Sequence, residues 1–157
     1  MAVFYTDLSR TFGTRLGQGT SRDTVIATAI VAVTTAMIDN TDDVITLFRV
    51  PRGAVVTAAR IAATDMDTNA SPTLAFNVGD AGSATRLFAA SAVGQAGTFS
   101  TAMQPTALLY KYTADTLIQA AVSAVAATGA AGTLTFVLEY FVDPEFVTTG
   151  LTATTTA

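Results

Sequence analysis

The side chains that most often carry out chemistry in proteins are missing from this chain. Its 157 residues include no histidine and no cysteine. Histidine is the side chain whose unperturbed pKa lies closest to neutrality, and the thiolate is a common nucleophile and zinc ligand. The Ser-His-Asp and Cys-His systems and the usual zinc sites are therefore excluded. We expect no enzyme activity, no catalytic residue, no metal and no cofactor.

One short motif has the spacing of a metal-binding loop. Asp65, Asp67 and Asn69 match the start of an EF-hand calcium loop. The glycine required at the sixth position is Ala70, and the glutamate required at the twelfth is Phe76. An ordinary acidic turn fits the motif better than a calcium site, because Asp and Asn favour turns through hydrogen bonds to nearby backbone.

The other acidic residues also favour structural roles. Asp39, Asp42 and Asp43 could hold a hard cation, but three acids so close together are more typical of a solvated loop. The only glutamates, Glu139 and Glu145, would serve a glycosidase only if both faced one cleft, and no pattern brings them together. No glycine pattern of a phosphate-binding loop or a nucleophile elbow occurs.

Three tyrosines provide the last candidate site. Tyr110, Tyr112 and Tyr140 could stack on sugar rings, as rigid amphipathic side chains do in binding faces. Each lies on a predicted strand, where a core or interface position is the commoner use. The chain has no tryptophan, which also speaks against a carbohydrate platform.

Composition favours a protein that associates with other chains. Only 13% of the residues are charged while 50% are hydrophobic, so a monomer would have to expose much Ala and Thr surface. We therefore predict a homo-oligomer, most simply a trimer. A net charge of −4 excludes a general affinity for nucleic acid. The longest apolar stretch, residues 25–38, is too short to span a membrane and predicts a long buried strand.

Alternation of apolar and polar residues predicts β-strands along most of the chain. Leu134, Phe136, Leu138 and Tyr140 alternate with more polar neighbours, which is the pattern of a half-buried strand. Residues 44–50 and 54–63 flank Pro51-Arg52-Gly53, which predicts a type I turn. Further strands are predicted at residues 73–78, 108–112 and 116–125, and short ones at 84–93 and 97–103.

These elements define three zones. Residues 25–143 are predicted to form an all-β domain, a sandwich or jelly roll of about eight strands, with helix confined to short turns. Residues 144–157 form a polar C-terminal tail.

Residues 1–24 are predicted to form an extended N-terminal docking arm. Three arginines and two aspartates give this zone a net charge of +1. Because the whole chain has a net charge of −4, residues 25–157 have a net charge of −5. That asymmetry suits a segment that binds an acidic surface, although a frayed terminus or an arm folded onto its own domain are the alternatives. The candidate partner-binding residues are Phe4, Tyr5, Arg10, Phe12, Arg15, Leu16 and Arg22.

Four segments together carry a family resemblance. They are residues 48–56 (FRVPRGAVV), 74–80 (LAFNVGD), 86–91 (RLFAAS) and 110–118 (YKYTADTLI). In this order they resemble small structural proteins from the head-gene modules of tailed bacteriophages, particularly decoration (cement) proteins with a jelly-roll domain. The similarity spans residues 44–143.

The resemblance implies a virion protein on the capsid exterior. Such proteins form trimers or other small oligomers that clamp neighbouring major capsid subunits, so the implied partners are the major capsid protein and further copies of the chain. Another virion component, such as a head fibre base or a tail protein, and a carbohydrate-binding lectin-like module remain alternatives, because jelly rolls serve all these roles.

Overall fold

The alternation seen in the sequence is realised as eight β-strands. The computed structural model describes residues 23–41 and 43–143, and within them the only helical elements are three short 3₁₀ turns. Those turns are Thr35–Met37, Val93–Gln95 and Pro105–Ala107. The strands are β1 (Val25–Val33), β2 (Val44–Val50), β3 (Ala54–Ala63), β4 (Ala75–Asp80), β5 (Ser83–Ser91), β6 (Phe99–Ser100), β7 (Thr116–Ala124) and β8 (Gly132–Val142).

The strands pair as one long hairpin wound into a sandwich. One sheet has the order β1-β8-β3-β6 and the other the order β2-β7-β4-β5, and all neighbours are antiparallel. The pairs β1–β8, β2–β7, β3–β6 and β4–β5 are therefore nested one inside the next. This nesting is the jelly-roll arrangement. It confirms the prediction of an all-β sandwich or jelly roll.

The core lies between the two sheets and centres on β8. Leu134, Phe136, Leu138 and Tyr140 are all buried, as their alternation predicted. The ring of Phe136 lies 5.8 Å from that of Phe48 in the opposite sheet, measured between centroids. Aromatic and aliphatic burial of this kind is the main source of stability in a chain without disulfides.

Three local predictions were wrong. The stretch 25–38 is not one long buried strand: β1 ends at Val33 and only one of its faces is buried. Residues 108–112 form no strand, and only Lys111 makes an isolated bridge, to Val55. In the turn after β2, the backbone of Ala54 donates to Pro51 and Gly53 has φ +86°, which places glycine third, as in a type II turn.

Candidate functional site

The calcium-like motif is an internal brace between loops. The carboxylate of Asp67 is buried and accepts four backbone hydrogen bonds. Two come from Thr73 and Leu74 at 2.7 and 3.1 Å, and two from Ala127 and Thr128 at 3.0 and 2.8 Å. Burial raises the pKa of Asp67, but these four donors outweigh it and hold the pKa well below its usual value. Backbone N–H groups occupy the acceptor positions of this carboxylate, which argues against a calcium site. Two of them come from residues about 60 positions away, so Asp67 is a buried long-range brace and not the ordinary acidic turn that the sequence predicted.

A second polar cluster also has a structural role. Arg86 donates to Asp80 through Nε, and its guanidinium lies over the ring of Tyr110 at 3.8 Å from the centroid. Burial raises the pKa of Asp80, but hydrogen bonds from Arg86 and Gly82 bring it below its ordinary value. Burial also raises the pKa of Tyr112, whose ring packs edge-on against Tyr110. The tyrosines are thus used inside the protein, as the core interpretation predicted.

The remaining acidic candidates do not converge. Glu139 pairs with Arg60 on the surface of one sheet, and Asp39 accepts a hydrogen bond from neighbouring Asn40. Asp42 and Glu145 lie outside the described residues. Across residues 23–41 and 43–143, no three acidic side chains come close enough to hold a metal ion. In the same ranges no helix has the length and apolar character needed to cross a membrane.

The most distinctive surface of the molecule is the solvent side of the sheet β1-β8-β3-β6, which we call the outer face. Residues that alternate with the buried ones on β1, β8 and β3 lie here, in register across the sheet. One row runs Ile26, Glu139, Ala58, the next runs Thr28, Val137, Arg60, and the third runs Ile30, Thr135, Ala62, Phe99.

The outer face is largely apolar. Ile26 is 59% exposed, Ile30 is 64% exposed and Phe99 is 75% exposed. The one ion pair among its rows joins Arg60 to Glu139 at 2.5 Å. Next to β3 the face continues into a shallow groove, lined among others by Ala58, Met103 and Pro105. An exposed apolar face with few charged residues is characteristic of a protein–protein contact surface.

The opposite sheet has a more polar solvent side. Its registers place Thr46, Gln119 and Asn77 between buried neighbours, and Arg49 is exposed nearby. Val44 is its one large apolar side chain with more than half its surface exposed, among the residues described. The contrast between the two sheets gives the sandwich one side suited to docking and one suited to solvent.

Edge strand β1 adds to this contact surface. Its sequence VIATAIVAV has no charge and no proline, and its register with β8 contains no bulge. Natural proteins commonly protect edge strands with charges, prolines or bulges, and β2 has both a bulge and Arg49. The sequence showed only that Ile26 and Ile30 lie on the opposite strand face from Ala27 and Ala29, and it did not show which face is buried.

The predicted partner-binding residues of the arm cannot be placed on this surface. All seven, from Phe4 to Arg22, lie outside the described residues. The described chain begins at Asp23, two residues before the first residue of β1, so the arm is connected to the edge of the sheet that carries the outer face.

The fold and sequence are similar to chains in solved phage capsids. A chain of the cyanophage Pam1 capsid asymmetric unit is 41% identical, with a TM-score of 0.71, covering 81% of this chain and 90% of that one. A chain of the capsid of Ralstonia phage GP4 is 24% identical, with a TM-score of 0.68 and coverage of 90% and 99%. A chain of the acidic stable capsid of Helicobacter pylori bacteriophage KHP30 is 18% identical, with a TM-score of 0.50 and coverage of 75% and 87%.

The three similarities carry different weight. No protein-family model matches the chain, and no curated protein does so either. The Ralstonia and Helicobacter phage chains are too different in sequence to show more than a shared fold. The cyanophage chain is similar in sequence over nine tenths of its length. On that evidence this chain belongs to a family of bacteriophage capsid proteins and is a structural component of the virion.

Proposed function

We propose that this protein is a decoration protein, which binds the outside of a phage capsid and clamps neighbouring major capsid subunits. The observation that carries the proposal is the 41% identity to a chain of a capsid asymmetric unit, in a molecule whose outer face is apolar. The polar clusters of the described residues are engaged in structural contacts, which supports a role without catalysis or cofactor.

The physical basis of such clamping is linkage. A protein that binds only the assembled shell stabilises that shell in proportion to its binding free energy. Ile26, Ile30 and Phe99 each keep more than half their surface exposed, so burying that exposed part in an interface gives about 1–2 kcal/mol per side chain. A binding free energy of this size would attach a single copy of the protein only weakly. We therefore also propose a homotrimer, in which linked copies bind together through high effective concentration.

The arm, residues 1–24, is proposed as the second attachment element. Its charge of +1 favours an acidic surface on the major capsid protein, and its apolar residues provide anchors of the kind that dominate interfaces. Because these charges would be screened by salt, the arginines should matter most at low ionic strength.

The direct test is to mix the purified protein with capsids that lack it. We expect it to sediment with the capsids and to raise their unfolding temperature in a concentration-dependent way. Ile26→Ser with Ile30→Ser should weaken binding without unfolding the protein, because both side chains are already exposed. Val44→Ser, which removes an exposed apolar side chain from the opposite sheet, is the matched control. Protein that stays in the supernatant at every concentration would refute the proposal.

The arm is tested separately by truncation. Deleting residues 2–22 should leave the circular dichroism spectrum of the β-domain unchanged and weaken capsid binding sharply. Replacing Arg10, Arg15 and Arg22 with Ala should weaken it more at low salt than at high salt. A truncated protein that binds as tightly as the full chain would refute the docking role of the arm.

A further inference from the structure

Two adjacent leucines break two structural rules at once. Leu108 is 56% exposed and Leu109 is 63% exposed, and neither belongs to the buried core. Leu109 also has a φ of +61°, in the left-handed region that glycine and asparagine adopt far more readily. Large apolar side chains are usually buried, and a leucine with positive φ is sterically strained.

The other residue with this strain has an internal explanation. Ala90 has a φ of +47° and lies at an irregularity in the pairing of β4 with β5. Its backbone N–H donates to the side chain of Asn77 at 2.8 Å, which stabilises the irregularity. Leu109 has a strained backbone and an exposed apolar side chain together. Nothing within the described chain offsets the exposure of that side chain.

The backbone around Leu109 is firmly held. Its N–H donates to the carbonyl of Val56 at 2.8 Å, and the N–H of Val56 donates to the carbonyl of Tyr110 at 3.0 Å. The ring of Tyr110 lies beneath the guanidinium of Arg86, which is itself paired with Asp80. Strained residues persist where their surroundings over-determine them, and such residues cluster at binding sites. The two leucines are thus presented in a fixed position.

Their place in the fold fits a contact made together with the outer face. Leu108 lines the shallow groove that also contains Ala58 and Arg60, two residues of the outer face. A partner covering that face would therefore also reach the leucines. Rigid, preorganised apolar side chains lose little conformational entropy on binding, so more of their burial free energy is retained as affinity.

We propose that Leu108 and Leu109 form a leucine knob that inserts into an apolar pocket on a capsid subunit. The knob rests on the proposed function, because that function supplies the partner. It adds a specific anchor that neither the sequence pattern nor the similarity to other capsid chains identifies. Leu109 is the third residue of a type II turn that is closed by a hydrogen bond from the N–H of Tyr110 to the carbonyl of Ala107 at 3.0 Å, which holds the positive φ.

The test uses variants in which stability and binding should move in opposite directions. Leu109→Asn relieves the strain and removes the apolar side chain, so its unfolding temperature should equal or exceed that of the natural protein. Its affinity for capsids should fall at least tenfold, and Leu108→Ser should show a similar loss. Ala90→Asn is the matched control: it relieves the same kind of strain at a position outside the knob, and its capsid affinity should be unchanged.

The outcomes separate the knob from the proposed function. If the natural protein binds capsids and both leucine variants bind equally well, the knob is refuted and the decoration role stands. A natural protein that does not bind capsids refutes both. A Leu109→Asn variant with a clearly lower unfolding temperature would also overturn the inference, since the leucine would then have an internal structural role.

Discussion

Replacing Asp67 with Asn tests the main structural brace found in the described residues. An Asn side chain has almost the same shape, but it offers one acceptor oxygen and one N–H₂ group. If the oxygen replaces Oδ2, it keeps the donors from Thr73, Leu74 and Ala127. The N–H₂ group then faces the N–H of Thr128, which leaves two donors opposed without an acceptor. One hydrogen bond is lost and three become weaker.

The expected destabilisation follows from these four bonds. A hydrogen bond to a charged group contributes about 1.5–3 kcal/mol, and one between neutral groups about half as much. Losing one charged bond and weakening three gives a decrease of at least about 4 kcal/mol in the free energy of unfolding. For a chain of this size 1 kcal/mol shifts the unfolding temperature by about 2–4 °C, so we expect a fall of at least about 8 °C. Differential scanning calorimetry measures it directly.

Asp65→Asn is the matched control, because it removes the same charge from the same loop. Asp65 is exposed and accepts one hydrogen bond, at 3.1 Å from the backbone of Asp67, so its loss should cost less than about 1 kcal/mol. Equal unfolding temperatures for the two variants would refute the reasoning.

The pH dependence provides a second check on the Asp67 brace. The pKa of Asp67 is lowered on folding, so its stabilisation is fully present above the unfolded pKa of about 4. This stabilisation is lost as the pH falls from the pKa of Asp67 in the unfolded chain through its lower pKa in the folded protein. The difference in stability between the natural protein and Asp67→Asn should be constant between about pH 5 and pH 8 and should narrow below about pH 4. A difference that widens in acid would contradict the assignment.

Three further substitutions test separate parts of the structure. Tyr112→Phe removes a buried hydroxyl that lies near the Asp80 carboxylate without forming a well-aligned hydrogen bond, so stability should change by less than about 1 kcal/mol in urea titrations. Gly79→Ala should destabilise by about 3 kcal/mol or more in the same assay, because a Cβ would lie 2.1 Å from the carbonyl oxygen of Ser83. Its control, Gly129→Ala, meets nothing closer than 3.7 Å and should change stability by less than about 0.5 kcal/mol. Arg60→Ala breaks one exposed ion pair and should cost less than about 1 kcal/mol.

The sequence predicted the strands whose two faces differ, and was less accurate elsewhere. The alternation around Phe136 and Phe76 identified β8 and β4, because burial of one face imposes a period of two. The uniform apolar run 25–38 has no such period, so neither the end of β1 nor its exposed face was predicted. At Leu108 and Leu109 the β-favouring composition suggested a strand, whereas local hydrogen bonds, from the N–H of Leu108 to Pro105 and from the N–H of Tyr110 to Ala107, form turns there.

Most of the candidate contact surface depends on long-range pairing that a sequence pattern does not contain. Ile30 and Phe99 belong to one row only because β8 and β3 lie between them. The role of Asp67 likewise requires residues 127 and 128, which are 60 positions away in the chain. The absence of histidine and cysteine, by contrast, is evident from composition alone.

The nested strand pairing also constrains how the protein is made. Val25 at the start of β1 faces Tyr140 in β8, 115 positions later, so the outermost pair joins the first and last strands. During synthesis β1 emerges early and has no partner until nearly the whole described chain has left the ribosome. Pairings of such separation close slowly, because a long loop must be ordered first. An uncharged strand exposed for that period is prone to pair with another nascent chain. The outermost strand pair should therefore close late in synthesis, and the yield of folded protein should fall as the expression rate rises.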